Sequence, residues 1–97
     1  MTLDLEALYI DLHRHPELSF QETRTAGIIA RHLTDLGIEF EEGIGKTGVV
    51  GKIANGDGPV VWLRADMDAL PVEERTGLAY ASTARGTDPA GVTVPVT

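Results

Sequence analysis

Asp66 and Asp68 are the residues of this chain best placed to do chemistry. They stand two apart in Leu63-Arg64-Ala65-Asp66-Met67-Asp68-Ala69-Leu70-Pro71, directly after the apolar run Val60-Val61-Trp62-Leu63. Side chains two apart on a strand point the same way. Two carboxylates on one side of a strand end can ligate a cation, or one can orient a ligand while the other handles a proton. The carboxyl end of a strand is also where ligands bind in open α/β sheets. A plainer role fits the same residues: a solvated strand end closed by a cap or turn. The spacing alone leaves both readings open.

Two other stretches carry reactive groups. His13, Arg14 and His15 fall at the end of a short helical pattern, with Glu17 close behind. They could form a polar cluster, but favourable contact between basic side chains and the helix C-terminal dipole accounts for them more simply. His32 reads as a surface or boundary residue of a second helix. Gly43-Ile44-Gly45-Lys46-Thr47-Gly48 matches G-x-G-x-x-G, and Gly45-Lys46-Thr47 imitates the end of a phosphate-binding loop. A phosphate site needs a helix N-terminus behind the glycines, because its amides hold the anion. Val49-Val50-Gly51-Lys52-Ile53 follows instead, so a turn between strands is expected.

The elements that must position these groups are legible from periodicity. Leu5, Leu8, Tyr9 and Leu12 recur at helical spacing, giving a helix over about residues 4–14 that Pro16 interrupts. Ser19 and Glu22 match a capping box, Ala26, Ile29, Leu33 and Leu36 form one stripe, and Gly37 sits where a C′ glycine ends a helix. These signals predict a second helix over about residues 20–36. Ile38 and Phe40 then suit a half-exposed strand, and Val49, Val50 and Ile53 a second one. Asn55-Gly56-Asp57-Gly58-Pro59 is a turn signal, and Val60–Leu63 reads as a strand buried on both faces. Helices followed by strands in this order make an α/β class, with helices covering a sheet. From Ala84 the character changes. The last residues alternate, but Pro95 would confine any strand there to an edge, and a frayed tail is the other expectation.

Bulk properties narrow the partners. The chain has 97 residues and a formal net charge of −7, which disfavours nucleic acid and anionic membrane surfaces. It contains no cysteine, so a disulfide framework and thiolate metal ligands are both excluded. No apolar run approaches membrane-spanning length, and the acidic N-terminus does not read as a signal peptide. A cytoplasmic protein is the default expectation.

Four stretches together resemble one family: His13-Arg14-His15-Pro16-Glu17-Leu18-Ser19-Phe20-Gln21-Glu22, Thr47-Gly48-Val49-Val50-Gly51, Leu63 to Pro71, and Thr76-Gly77-Leu78-Ala79-Tyr80-Ala81-Ser82. In this collinear order, over about residues 3–83, the chain resembles the amidohydrolase branch of the aminoacylase/carboxypeptidase metallopeptidases. That branch includes hippurate, N-acyl-amino-acid and indole-acetyl-amino-acid hydrolases. The resemblance implies an α/β zinc-peptidase-like catalytic domain with two helices and then strands of a mixed sheet. It implies a lid or dimerisation domain inserted later, and hydrolysis of N-acyl amino acids with one or two divalent metals, zinc or manganese. Such a metal would activate water and polarise the carbonyl.

Carried over residue by residue, the resemblance makes Asp68 and Asp66 the catalytic candidates. Many relatives show H-x-D-x-x-P, a metal-ligating histidine two before an orienting aspartate. Here Asp68 fits the aspartate and Asp66 occupies the histidine position, a substitution usual in this branch. The branch's main metal motif, Cys-Gly-His-Asp-x-His, would follow Thr83. In register stands Ala90-Gly91-Val92-Thr93-Val94-Pro95, which offers no metal-binding side chain. The sequence therefore predicts residues 1–83 as an incomplete metallopeptidase-like catalytic domain without the lid. Residues 84–97 are expected as a divergent tail, disordered or an edge strand. No metal ligand and no cofactor are assigned to this chain, and the isolated polypeptide is expected to be inactive and to fold poorly alone, with the apolar edges and faces of Val60–Leu63 exposed for want of neighbours. Truncation is the favoured account of the break. The alternative is a non-enzymatic remnant or interaction partner of a full-length relative. Self-association is expected only of the complete protein.

Overall fold

The structure, a computed structural model, describes residues 3–97. Its elements are α1 (Leu5–Arg14), α2 (Thr23–Asp35), β1 (Glu39–Ile44), β2 (Gly48–Lys52), β3 (Arg85–Thr87) and β4 (Thr93–Pro95). The α/β reading holds: two helices are followed by antiparallel strands.

Asp4 begins α1, its carboxylate accepting the Ala7 N–H at 3.0 Å. A side-chain oxygen at this position satisfies one of the amides that a helix start leaves without a partner. His13 and Arg14 lie in the last turn, where positive charge complements the helix dipole.

The start of α2 differs from the expected capping box. The helix begins at Thr23, and Glu22, its N-cap, makes no capping bond through its side chain. Glu17 caps instead, accepting the Arg24 N–H at 2.9 Å, the Thr25 N–H at 2.6 Å and the Thr25 hydroxyl at 2.7 Å. The reason is a tight turn. Gln21 N–H donates to the Leu18 carbonyl, and Phe20 adopts a left-handed φ of 64°. That turn carries the chain around so that Glu17 overlies the helix start, while Glu22 is buried and accepts from the Thr47 hydroxyl at 3.2 Å. At the other end, Gly37 has φ 71°, Ile38 N–H reaches the Leu33 carbonyl and Gly37 N–H the Thr34 carbonyl. This is the Schellman arrangement that the glycine suggested.

β1 and β2 form an antiparallel hairpin, Glu39 opposite Lys52, with a bulge between Glu42 and Ile44. The G-x-G-x-x-G stretch is its turn, as expected, and β2 rather than a helix follows it. Gly48 is required there: a Cβ at this position would lie 2.4 Å from the Ile44 carbonyl oxygen. Leu33 of α2 and Ile38 pack over Gly51, which seats the hairpin on the helix.

Val60–Leu63 is a correction. The run, expected as a strand, belongs to none; its four residues are 78–93% exposed, as expected of it without neighbours. Among the described residues nothing runs alongside it to pair its backbone or cover its side chains. Apolar composition prescribes burial only when a neighbouring layer exists to bury against. The Cα radius of gyration is 15.6 Å, against about 13 Å for a compact domain of about 100 residues.

Burial is found elsewhere, in α2 and where three remote segments meet around Leu18 and Val96. The buried apolar residues are Leu18, Ile28, Ala30 and Val96. Ala69 N–H donates to the Glu17 carbonyl at 2.8 Å within a parallel bridge between Leu18 and Ala69. Leu70 and Thr97 exchange both backbone bonds at 2.8 and 2.9 Å. The end of the chain, for which a frayed tail or edge strand was expected, forms the β3–β4 hairpin, with Arg85 opposite Pro95. Asp88 closes its turn by accepting the Ala90 and Val92 N–H groups. Val96, 3% exposed, and Leu18 both lie against Gly86.

Candidate functional site

Asp66 and Asp68 face one cleft of about 400 Å³, whose walls include Tyr9, Leu12, His13 and Thr25 from the two helices and Ala65–Ala69 from the extended segment. The bond from Ala69 N–H to Glu17 fixes the chain immediately after Asp68. Asp66 Oδ1 accepts from Arg64 Nη2 at 2.8 Å, with the two side chains 68% and 88% exposed. An ion pair this exposed contributes little, because water screens it. Asp68 is likewise exposed. Both carboxylates are thus presented to solvent at the rim of the cleft.

A polar cluster around the buried Glu74 was missed by sequence reasoning. His13 Nε2–H donates to Glu74 Oε1 at 2.7 Å, and the Glu74 side chain is only 3% exposed. The same Oε1 accepts the Ser82 N–H at 2.9 Å and the Thr97 hydroxyl at 2.8 Å, while the Thr76 hydroxyl takes Oε2. The Ser82 amide and the Thr76 hydroxyl, helped by Thr97 and His13, overcome burial and lower the Glu74 pKa to about 2. Glu74 is therefore ionised and can only accept, which places the proton on His13 Nε2. Tyr9 stacks on the His13 ring at 5.8 Å between centroids, and Tyr80 meets it edge-on at 5.6 Å. His13 had been read as a helix-end residue serving the dipole. Its imidazole also lines the cleft beside the two aspartates. The i,i+4 spacing of Tyr9 and His13 was visible in the sequence. No local signal joined position 13 to position 74.

A second carboxylate, Asp11, is bound through both oxygens by Arg24 at 2.9 and 3.0 Å, which lowers its pKa and ties α1 to α2. Burial alone would raise the Glu17 carboxyl. The bonds from Thr25 and Arg24 outweigh that and hold it below the usual value.

These residues do not fit a divalent metal. Among the described residues, no three His, Cys, Asp or Glu side chains converge as a metal-holding group. The His13 Nε2 is committed to Glu74, and Asp66 to Arg64. The cleft offers two exposed carboxylates, an oriented imidazole and an aromatic wall. That set can bind and orient a polar ligand.

No protein-family model matches the chain. Curated relatives do. The chain is 52% identical over 77 residues to thermostable carboxypeptidase 1 of Saccharolobus solfataricus, covering 77% of this chain and 20% of that protein. It is 51% identical over 79 residues to the N-acetylcysteine deacetylase of Bacillus subtilis, covering 79% and 21%. It is 46% identical over 80 residues to the hippurate hydrolase of Campylobacter jejuni, covering 81% and 21%. The crystal structure of a Bacillus subtilis dinuclear metal-binding peptidase of the M20 family matches with a TM-score of 0.74 at 48% identity, over 82% of this chain and 23% of that one. The chain thus spans about one-fifth of the length of the curated relatives it matches. Sequence and backbone agree that this chain belongs to the M20-type amidohydrolases and peptidases and carries an N-terminal part of that fold.

Proposed function

We propose that this chain is one wall of a metal-dependent amidohydrolase site for N-acyl amino acids, and that the 97-residue polypeptide is inactive by itself. One observation carries the reading: Asp66 and Asp68 stand at the rim of one cleft that the oriented His13 also lines. Asp68 is the group that orients what binds opposite it, and Asp66 lies in the same site. No hydrolytic step is assigned to these residues, because they do not form a metal site. The zinc or manganese of the complete site would be held by groups that this chain does not supply. In that complete site it would supply the Lewis-acid chemistry of amide hydrolysis.

The substrate class follows from relatives named for hydrolysis of hippurate and deacetylation of N-acetylcysteine. The net charge of −7 favours a small-molecule ligand over nucleic acid or an anionic surface. No helix among the described residues is long and apolar enough to cross a membrane. A cytoplasmic setting accords with the absence of cysteine. The test is an assay of the purified chain on hippurate and N-acetylcysteine with added manganese or zinc. No turnover is expected, and turnover abolished by a chelator would overturn the proposal.

A second reading, a non-enzymatic interaction partner, is favoured by the exposed apolar run Val60–Leu63.

A further inference from the structure

We propose that Asn55 is a self-modification site: the Gly56 nitrogen attacks its side-chain amide, and water opens the resulting succinimide to aspartate and isoaspartate. The chain has two side-chain amides, Gln21 and Asn55. Gln21 is held, its Nε2–H donating to the Thr87 carbonyl at 2.9 Å. Asn55 lies just after β2, and both it and Gly56 are exposed. Among the described residues, 53–68 make no backbone–backbone hydrogen bond, so no carbonyl holds the Gly56 N–H and no bond must break for Asn55 to turn toward it. A side chain on the attacking residue would crowd the approach. Gly56 has no Cβ, and the space around the place of one is open to 4 Å. An asparagine so placed is chemically labile. The site is separate from the cleft and independent of the amidohydrolase reading, since Asn55 is not among the cleft residues.

The step balances with water as its only co-reactant. The bond from the Gly56 nitrogen to Asn55 Cγ forms as the Cγ–Nδ2 bond breaks. The Gly56 proton passes to solvent and ammonia leaves. Water then adds to either carbonyl of the succinimide ring. Opening at Cγ leaves an ordinary aspartyl link. Opening at the main-chain carbonyl carbon leaves a β-link, with an extra methylene in the backbone and the α-carboxylate as a branch. Either product replaces a neutral amide by a carboxylate, adding one negative charge to the formal −7. The new methylene falls where no backbone bond pins the chain, so the helices and both hairpins should keep their structure.

The experiment incubates the full chain at mildly alkaline pH in water labelled with heavy oxygen, then cleaves it with trypsin. Cuts after Lys52 and Arg64 release residues 53–64, which carry Asn55 and the absorbance of Trp62. Two products of equal mass are expected, each with one heavy oxygen in place of the amide nitrogen. One of them should be a substrate for an isoaspartyl-specific carboxyl methyltransferase. Isomerisation of Asp57, which precedes Gly58, leaves the unlabelled amide of Asn55 in place and is told apart by mass. Conversion in the folded chain should keep pace with that of a synthetic peptide of residues 53–64, and circular dichroism should not change as it proceeds. Asn55→Gln should lose both products, and Gly56→Ala should slow their formation. An Asn55 that stays intact while the peptide converts overturns the proposal, because the fold would then be protecting it. So does an aspartyl product without its isoaspartyl partner, which would mean direct hydrolysis of the amide. Labelled products that persist in Asn55→Gln overturn it as well.

Discussion

His13 and Glu74 stand 61 positions apart in sequence, yet their side chains meet at 2.7 Å, with Glu74 only 3% exposed. Glu74 also receives Ser82, Thr76 and Thr97, so one carboxylate ties α1, the turn before β3 and the end of the chain together. Removing it leaves several donors without an acceptor, which costs more than the lost bonds themselves. Glu74→Ala should therefore lower the thermal midpoint clearly more than Glu73→Ala, whose exposed carboxylate pairs with Arg75. Parallel melts followed by circular dichroism measure the difference; equal midpoints would remove Glu74 from this role.

The same carboxylate sets an acid limit. Its pKa falls from the ordinary 4.5 to about 2 in the folded chain. The unfolded chain then binds more protons in that interval, so stability rises with pH across it. The contribution is complete above about 4.5 and is lost as pH falls through about 2. Asp11 and Glu17, also lowered, act in the same direction. Urea midpoints between pH 5 and pH 2, roughly the carboxylate range, should fall with acid, and Glu74→Gln should flatten that slope.

Glu17, rather than Ser19, holds the start of α2. Glu17→Ala frees the Arg24 and Thr25 amides and should destabilise the chain by about 1 kcal/mol. Ser19→Ala should be nearly neutral. Denaturant midpoints of the two variants distinguish this cap from the capping box that the sequence suggested.

Leu18 packs beside Val96 against Gly86, and its backbone bridges to Ala69. Leu18→Ala should cost about 3 kcal/mol, a large share of the stability of so small a domain. Hydrogen exchange would report it first at residues 84–97, because the β3–β4 hairpin docks through Val96.

Trp62, the sole tryptophan, is 78% exposed. Its fluorescence should already be that of a solvated indole, accessible to iodide and little shifted by urea. Circular dichroism under the same conditions should still record loss of α1 and α2. A buried-type emission from the dilute free chain would contradict the exposed segment.

Local patterns were enough for what local forces decide. The two helices, the Gly37 stop and the β1–β2 hairpin all depend on residues within a few positions of one another. So do their signals: apolar period, cap and turn residues. Collinear motifs likewise revealed the family, because several short stretches in order are more specific than any one alone. The sequence also picked out Asp66 and Asp68, and the structure places both on one cleft.

Tertiary structure decided the rest. Whether Val60–Leu63 is buried depends on neighbouring strands, and hydrophobicity cannot supply a neighbour. Whether Glu17 or Ser19 caps α2 depended on the turn at Phe20. The partnership of His13 with Glu74, and of Leu70 with Thr97, depends on which distant segments the fold brings together. Composition alone holds no record of those meetings. Asp66 and Asp68 were legible as carboxylates with a shared direction; only the folded chain showed that they stand exposed on the cleft that the oriented His13 also lines.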